Sequence, residues 1–219
     1  MIELLNVDCM EYMKTCKDNE FDLAIVDPPY GIDIAKKGKV GVAKLAKVKN
    51  YGAKDWDKTA PKHDYFSELQ RVSKEQIIWG ANHFMDRIIK GSPCWVVWDK
   101  DNTGNFADCE LAYTSFKTAV RKFEYRWNGM LQGDMKNKEH RIHPTQKPIK
   151  LYDWLLTNYA EPGQKILDTH LGSGSSAISA HYFGVDFVGM EIDEDYYKAA
   201  VERFDRETSQ VDMFGANND

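Results

Sequence analysis

The sequence predicts an α/β protein built on a doubly wound, mostly parallel sheet. Short apolar runs typical of buried strands alternate along the chain with segments of helical apolar spacing. Acids stand directly after several of these runs, where open parallel sheets bind their ligands. The chain has 219 residues, 42% of them apolar, which is enough for one large core. We therefore expect a single domain over residues 1–209, followed by a tail over 210–219.

The strand predictions rest on apolar runs bounded by polar or turn residues. In chain order they are MIELLNV, FDLAIV, QIIWG, PCWVVWDK, QKILD and DFVGMEID. The helix predictions rest on helical spacing of apolar residues. In chain order they are CMEYMKTC, HDYFSELQRVS, ANHFMDRIIK, IKLYDWLLTNYA, HLGSGSSAISAHYFG (with its turn) and EDYYKAAVERFDRE. Two shorter candidates, CELAYTSF and KFEYRWNG, predict a hairpin-like region.

Charge and cysteine usage narrow the class of protein. The net charge of −5 argues against a general polyanion binder. Cys9, Cys16, Cys94 and Cys109 form no Cys-x-x-Cys pair and have no histidine at metal-ligand spacing. The N-terminal sequence has no basic start, and no apolar stretch approaches the roughly 20 residues that span a membrane. We therefore expect a cytoplasmic protein with reduced thiols that uses no metal and no membrane.

One segment departs from the acidic balance of the chain. Between Ile32 and Lys58 the sequence has eight lysines against three aspartates, and it is rich in glycine and alanine. This composition predicts a long loop insertion over residues 32–60. Most such charge runs are only solvated surface. Beside a site, however, a basic loop is where a phosphate backbone would be held, and we adopt that interpretation.

The stretch LAIVDPPYGI ends a buried strand with an acid, two prolines and an aromatic ring. A sheet ladder does not continue through Pro-Pro, so the chain leaves the sheet at Asp27. Asp8, Asp168 and Glu191 also stand at or just after predicted strand ends. Because the carboxyl ends of parallel strands share one edge, we expect these four acids to line one site.

A glycine turn, Gly172-Ser173-Gly174, lies between Asp168 and a predicted helix. Small residues there let a ligand approach the backbone, and the start of the helix offers unpaired N–H groups. Glu191 follows about twenty residues after the turn, where a carboxylate accepts hydrogen bonds from ribose hydroxyls. The acidic lining disfavours a pyrophosphate. We therefore expect a cationic, phosphate-free nucleoside, and S-adenosylmethionine is such a ligand.

The segment HPTQKP supplies an anchor for the amino-acid tail of that ligand. Pro148 can begin a helix, and Thr145, Gln146 and Lys147 precede it with a hydroxyl, an amide and an ammonium group. An ordinary helix cap would use similar residues, so the pattern alone leaves both interpretations open.

Together, DPPY, HPTQKP and D-x-x-x-GSG resemble the motifs of the amino-group DNA methyltransferases that use S-adenosylmethionine. Their circularly permuted order, with DPPY first and the glycine turn last, is similar to the β group of that family over Asp8 to Glu191. The resemblance implies the S-adenosylmethionine-dependent methyltransferase fold, a transfer without metal, and duplex DNA as partner. It also implies that Asp8 contacts the adenine of the cofactor. The full set of implied cofactor contacts is Asp8, Cys9, Asp27, Thr145, Gln146, Lys147, Asp168, Gly172, Ser173, Gly174, Ser175, Glu191 and Ile192.

Two places depart from the family pattern. Thr169-His170 stands where the family usually has Pro-Phe after the acid, and Ser175-Ser176 stands where it usually has a threonine. These differences bear on the packing around the cofactor. They leave the acids and the glycines of the pattern intact.

The resemblance makes Asp27, Pro28, Pro29 and Tyr30 the expected catalytic residues. The Asp27 carboxylate and the Pro28 carbonyl would accept both N–H groups of an exocyclic amine, and Tyr30 would stack on a flipped base. An acid in the first position favours adenine N6 as the target. The alternatives are cytosine N4, an adenine in RNA, and a non-catalytic DNA-binding partner of the same fold.

Two further regions carry predictions about partners. We expect sequence readout from residues 99–141, with contacts from Arg121, Lys122, Arg126 and Lys138. In the tail, Gln210 to Phe214 resembles the short peptide by which bacterial proteins dock on the replicative sliding clamp, although a frayed terminus is the simpler interpretation. A homodimer and a bacterial or phage origin complete these expectations.

Overall fold

The structure is a computed structural model that describes residues 1–33, 57–88, 90–102, 107–128 and 131–209. Most of the insertion over 32–60 and the whole tail over 210–219 lie outside the described residues. The helices are α1 (Cys9–Thr15), α2 (His63–Val72), α3 (Ile149–Tyr159), α4 (Ser175–Phe183) and α5 (Glu194–Ser209). The strands are β1 (Ile2–Leu5), β2 (Phe21–Val26), β3 (Ser73–Trp79), β4 (Trp95–Asp99), β5 (Cys109–Thr114), β6 (Arg121–Glu124), β7 (Trp127–Asn128), β8 (Leu131–Gln132), β9 (Lys165–Asp168) and β10 (Asp186–Met190).

Eight strands form one sheet in the order β1-β10-β9-β2-β3-β5-β4-β6, and β7 pairs with β8 in a separate ribbon. In this eight-stranded sheet β5 runs antiparallel to both of its neighbours, and the other adjacent pairs are parallel. The mostly parallel α/β sheet predicted from the sequence is confirmed.

Two local predictions are wrong. CELAYTSF and KFEYRWNG do not pair as a hairpin, because β5 and β6 lie on opposite sides of β4. This arrangement gives β4 a hydrogen-bonded neighbour along both edges. ANHFMDRIIK forms only a short 3-10 turn at Ala81–His83. Its apolar Phe84 is buried directly after the turn, and no helix follows in the described part of this segment.

Helices cover both faces of the sheet, and β2 shows how. Leu23 and Ile25 pack into a cluster with residues of α3 and α4, whereas Ala24 and Val26 pack into a second cluster with residues of α1 and α2. Successive side chains of a strand point to opposite faces. Burial on both faces explains why the sequence of β2 is almost continuously apolar.

The strands before the two main motifs are adjacent, although they are far apart in sequence. β9 pairs in parallel with β2, with Leu23 opposite Ile166 and Ala24 opposite Leu167. From β9 the chain continues to β10 on one side, and from β2 it continues to β3 on the other. Such a switch point is where open α/β sheets bind ligands. The permuted motif order therefore brings Asp27 and Asp168 to the same crevice.

The segment 99–141 is only partly available for the predicted sequence readout. It contributes β5 and β6 to the central sheet and β7 and β8 to the ribbon. The readout function of this region stays a prediction. Among residues 1–33, 57–88, 90–102, 107–128 and 131–209, no helix is long and apolar enough to cross a membrane.

The assignment of the hydrophobic core can be tested at Phe66. This residue is 0% exposed and packs in the cluster that includes residues of α1 and β2. We expect Phe66→Ala to lower the free energy of unfolding by about 3–5 kcal/mol, because it removes a buried ring and leaves a cavity. Denaturant unfolding followed by circular dichroism measures the loss. Phe116→Ala removes the same side chain from a partly buried position and should cost less. Equal losses would contradict the assigned core.

Candidate active site

The four predicted acids lie along one edge of the sheet. Asp27 directly follows β2, Asp168 ends β9, Glu191 directly follows β10, and Asp8 is the N-cap of α1 after β1. Burial raises the pKa of Asp168 to about 7, and the charges of Asp27 and Glu191 add to this increase. A cationic ligand bound at this edge would lower the pKa of Asp168 and favour its ionised form.

The glycine turn is held by acids on both sides. Gly172 and Gly174 have positive φ angles of 52° and 74°, which glycine adopts without strain. The Gly172 N–H donates to Glu191 Oε2 at 3.0 Å. Ser176, in the first turn of α4, donates from Oγ to Asp168 Oδ2 at 2.6 Å. The turn is thus fixed between the ends of β9 and β10.

A cavity of about 340 Å³ opens beside the ends of β1 and β10. Acids, apolar side chains and ring side chains line it: Val7, Asp8, Cys9, Met10, Pro61, Lys62, Asp64, Tyr65, Thr169, His170, Met190, Glu191 and Ile192. Its volume is in the range of small-molecule sites. The structure therefore brings four of the predicted cofactor residues together, namely Asp8, Cys9, Glu191 and Ile192.

The unusual pair Thr169-His170 belongs to the wall of this cavity. The hydroxyls of Tyr65 and Thr169 lie 2.7 Å apart, and Thr169 Oγ1 lies 2.9 Å from His170 Nδ1. The Tyr65 ring meets the His170 ring edge-on at 5.5 Å. Burial lowers the pKa of His170 to about 4, so the ring is neutral at pH 7. A hydrogen-bonded trio therefore stands where the family pattern has Pro-Phe.

The Asp27 carboxylate is held through both oxygens. Tyr30 donates its hydroxyl to Oδ1 at 2.8 Å, and Lys147 Nζ lies 2.5 Å from Oδ2. The side chain is still 17% exposed. Burial raises the pKa of Asp27, and the Lys147 ammonium opposes this increase. Since a carboxylate has about four acceptor sites, Asp27 can accept a further N–H from a ligand.

The Tyr30 ring rests on a glycine of the neighbouring strand connection. A Cβ on Gly80 would lie 2.1 Å from Tyr30 Cε1, so the ring occupies space that any other residue would fill. The ring stacks on His83 with centroids 4.9 Å apart and an interplanar angle of 15°, and it meets Phe84 edge-on at 6.0 Å. Pro28, which precedes Pro29 and Tyr30, is buried. Gly80, His83 and Phe84 therefore fix the position of the Tyr30 ring.

Lys147 connects the DPPY turn with the glycine turn. Its carbonyl oxygen accepts a hydrogen bond from Ser175 Oγ at 2.8 Å. Its ammonium pairs with Asp27, and Glu110 Oε2 lies 3.2 Å away. The structure places this ammonium on two carboxylates of the protein, and its assignment to the tail of the cofactor stays a prediction.

The side chains of Gln146 and Thr145 bond within their own loop, whereas the Gln146 carbonyl accepts Trp127 Nε1 and the His143 ring meets Tyr196 of α5 edge-on. Gln146 is 4% exposed, and its side-chain oxygen accepts the Ile142 N–H at 2.9 Å. Thr145 Oγ1 lies 3.1 Å from His143 Nδ1. Helix α3 begins at Ile149, directly after Pro148, and receives no side-chain cap from Pro148. The assignment of Thr145 and Gln146 to the cofactor stays a prediction.

Sequence reasoning missed a buried ion pair between Arg203 and Glu139. Arg203, in α5, is 2% exposed, and its Nη2 lies 2.7 Å from Glu139 Oε2. Its Nη1 donates to the Ser173 carbonyl and to Ser175 Oγ, both at 2.9 Å. The last helix thus fastens the glycine turn to the loop that precedes α3. In the sequence, Arg203 is one of many charged residues of α5, and nothing distinguishes it.

Glu110 was also missed. It stands near the start of β5, and its Oε1 contacts the ammonium of Lys100. Burial acts to raise the pKa of Glu110, but the ammonium groups of Lys147 and Lys100 outweigh it and lower the pKa to about 2. In the sequence, Glu110 stands between the apolar residues Cys109 and Leu111, and nothing there indicates its contacts with Lys100 and Lys147.

An acid–Pro–Pro–Tyr turn and a glycine turn on adjacent parallel strands define an amino-group methyltransferase of the α/β class. The comparison with protein families specifies it further. Residues 78–202, more than half of the chain, match the family described as DNA methylase. The chain therefore belongs to the DNA methylase family.

Individual relatives agree with this membership. The chain is 22% identical to the type II methyltransferase M2.DpnII of Streptococcus pneumoniae, over 93% of this chain and 90% of the relative. It is 24% identical to the type II methyltransferase M.HinfI of Haemophilus influenzae, over 91% of this chain and 67% of the relative.

Solved structures confirm the methyltransferase fold. The M1.HpyAVI–SAM complex matches with a TM-score of 0.57 and 20% identity, over 93% of this chain and 100% of that chain. The cytosine-N4-specific PvuII DNA methyltransferase matches with a TM-score of 0.60 and 12% identity, over 96% and 92%.

The position of Tyr30 gives a testable prediction with a matched control. Gly80→Ala should displace the ring and lower DNA methylation roughly ten-fold or more, since base stacking on an aromatic ring is worth about 1–3 kcal/mol. Gly163→Ala is the control, because Gly163 also has a positive φ of 84° but its Cβ would meet nothing within 4 Å. Backbone strain should cost both variants about 1–2 kcal/mol of stability, and Gly80→Ala should lose more because its Cβ clashes with the Tyr30 ring. Equal activity in the two would contradict the packing of Tyr30.

A second prediction concerns pH and His143. Burial, helped by the Lys147 charge, lowers the pKa of this ring to about 3. The unfolded chain takes up a proton near pH 6.5, so stability is complete above that pH and is lost as the pH falls below it. Between about pH 7.5 and 5.5, we expect His143 to account for a loss of about 1.4 kcal/mol.

Denaturant unfolding of the wild type and of His143→Phe at both pH values measures this contribution. The other titrating groups are common to both proteins, so the difference between the two pH dependences isolates His143. Parallel curves would show that the ring is not held neutral in the folded state.

Proposed function

We propose that the protein transfers a methyl group from S-adenosylmethionine to the N6 amino group of an adenine flipped out of duplex DNA. Membership of the DNA methylase family supports DNA as the substrate. The observation that carries the proposal is the placement of Asp27. This acid directly follows β2 at the switch point, beside β9, the strand that leads into the glycine turn.

The cavity beside β1 and β10 suits the nucleoside part of S-adenosylmethionine. Asp8 and Glu191 offer carboxylate acceptors for hydroxyl and amino groups, and Met190 and Ile192 offer apolar surface. Gly172 would let the ligand approach the backbone, whereas Gly174 leaves room for Ala200 of α5, whose carbonyl oxygen would lie 3.3 Å from a Cβ there. The acidic edge suits a positive sulfonium and opposes a pyrophosphate. When bound, the cofactor supplies an activated methyl group on a sulfonium.

The protein's part in the reaction is to orient the amine. The lone pair of an adenine amino group is delocalised into the ring, so the nitrogen is a weak nucleophile. An acceptor pair at Asp27 and Pro28 would bind both N–H groups and favour the tetrahedral nitrogen that attacks. As the N–C bond to the methyl group formed, the sulfonium would leave as a neutral thioether, and the nitrogen would then release one proton to solvent beside the part-exposed Asp27 carboxylate. Tyr30, fixed by Gly80 and His83, offers the ring on which the base stacks.

The adenine assignment is supported by the aspartate at position 27 through the family resemblance. Cytosine N4 presents the same chemistry, an exocyclic amine on an aromatic ring, and the same acceptor pair would serve it. The product analysis below separates the two targets.

Methyl transfer to DNA tests the function directly. Labelled S-adenosylmethionine and unmethylated duplex DNA should give N6-methyladenine, identified by mass after digestion to nucleosides. Asp27→Ala should lower the rate by about 100-fold or more, because it removes a preorganised acceptor. Asp205→Ala, an exposed acid on α5, is the control and should keep the wild-type rate.

Each other outcome would change the assignment. N4-methylcytosine would keep the mechanism and overturn the target. Transfer to RNA but not to DNA would overturn the substrate. The protein could also be protected against thermal unfolding by S-adenosylmethionine, but not by NAD, and methylate no nucleic acid. It would then be a non-catalytic DNA-binding protein of the same fold.

The same role supports the finer predictions about partners. DNA as substrate and bacterial relatives favour action in the cytoplasm, by a bacterial or phage-encoded enzyme. Docking of Gln210–Phe214 on the sliding clamp would direct methylation to newly replicated DNA. Equal clamp binding by the full chain and by a version ending at Ser209 would contradict it. Sedimentation of the full chain tests the homodimer.

A further inference from the structure

We propose that Glu110 and Lys147 are positioning residues for methyl transfer. Glu110 shares the Lys147 ammonium with Asp27, and this sharing fixes the position of the Asp27 carboxylate as the acceptor for the target amine. The inference rests on the proposed function, and it adds a residue of β5 that none of the sequence motifs contains.

The first support is the environment of Lys147. Its side chain is 4% exposed, and Nζ lies 2.5 Å from Asp27 Oδ2 and 3.2 Å from Glu110 Oε2. Nζ also lies 5.5 Å from the ring centroid of Trp79, within range for a cation–π contact. A buried ammonium between two carboxylates and an aromatic wall has few other positions to adopt.

The second support is the surrounding charge. Asp27, Lys147, Glu110 and Lys100 alternate in sign along one row of contacts, so their formal charges sum to zero. These groups come from β2, from the loop before α3, and from β5 and the end of β4. Removing one buried partner of such a row leaves another charge uncompensated. The row is therefore a connected unit in which each charge sets the position of the next.

The third support is the direction of each charge effect on Asp27. The Lys147 ammonium lowers the pKa of Asp27, whereas the Glu110 carboxylate raises it. Removing Lys147 should therefore let Asp27 take up a proton at higher pH. Removing the charge of Glu110 should have the opposite effect, and it would let the ammonium move fully onto Asp27.

Other titratable groups also face Asp27. They are Tyr30, Tyr65, Tyr152 and Asp168. Burial raises the pKa of the three tyrosines well above the ordinary value, so they stay protonated in the working range. The charge of Asp27 raises the pKa of Asp168, so the titration of Asp168 follows that of Asp27. Differences between variants therefore report on the Asp27 row together with Asp168.

The test compares the pH dependence of kcat for the wild type, Glu110→Gln and Lys147→Met. We expect kcat to fall by roughly 10- to 100-fold in both variants, because a misplaced catalytic group costs rates of this order. The KM for S-adenosylmethionine should change little, since neither residue lines the 340 Å³ cavity. The acidic limb of the profile should move to lower pH in Glu110→Gln and to higher pH in Lys147→Met.

Controls separate positioning from general damage. Glu75→Gln removes the charge of a partly buried glutamate in β3, a neighbour of β5, and should leave kcat and the profile unchanged. Glu110→Asp keeps the charge and should restore the position of the acidic limb. If Lys147→Met does not fold, Glu110→Gln and Glu110→Asp still decide the question.

The outcomes are distinct from those of the proposed function. Wild-type protein without methyl transfer would overturn the function itself. An active wild type, with Glu110→Gln unchanged in kcat and in its acidic limb, would overturn the inference and leave the function standing. Shifts of the acidic limb in the same direction in both variants would also overturn it, because the charges of Lys147 and Glu110 act on Asp27 in opposite directions.

Discussion

The site depends on the compensation of buried carboxylates by two buried cations. Lys147 pairs with Asp27 and Glu110, and Arg203 pairs with Glu139. Loss of one partner from such a pair commonly costs 3–5 kcal/mol, because the other charge is left without compensation. Asp27 can therefore be held at the sheet edge as a carboxylate because Lys147 reaches it from the loop before α3.

The loop before α3 is the physical link between the two cations. Glu139, at one end of the loop, binds Arg203 and also accepts the N–H of Ile149 at 2.9 Å. Lys147 lies at the other end. Its carbonyl oxygen accepts a hydrogen bond from Ser175 Oγ, and its ammonium pairs with Asp27. The glycine turn and the DPPY turn are therefore not independent sites on neighbouring strands. Displacement of this loop would disturb both.

Much of this could be predicted from the sequence, and the reason is locality. Strand runs, the Pro-Pro stop at Asp27 and the glycines before α4 are properties of neighbouring residues, and they set the edge on which the site lies. Glu110, Arg203 and Tyr65 could not be predicted, because their importance comes from partners in distant segments. Tyr65 and Thr169, for instance, are 104 positions apart. The pairing of β6 with β4 could not be predicted for the same reason, because neither short strand alone indicates its partner.

The permuted strand order has a consequence for synthesis of the chain. β1 pairs with β10, so Ile2–Leu5 acquires its partner only when Asp186–Met190 has been made. Asp27 likewise waits for Lys147, and the glycine turn waits for Arg203. Long-range closures of this kind slow folding. A nascent chain that ends before α5 would therefore hold the DPPY turn without a secured glycine turn, and the complete site would form only near the end of translation.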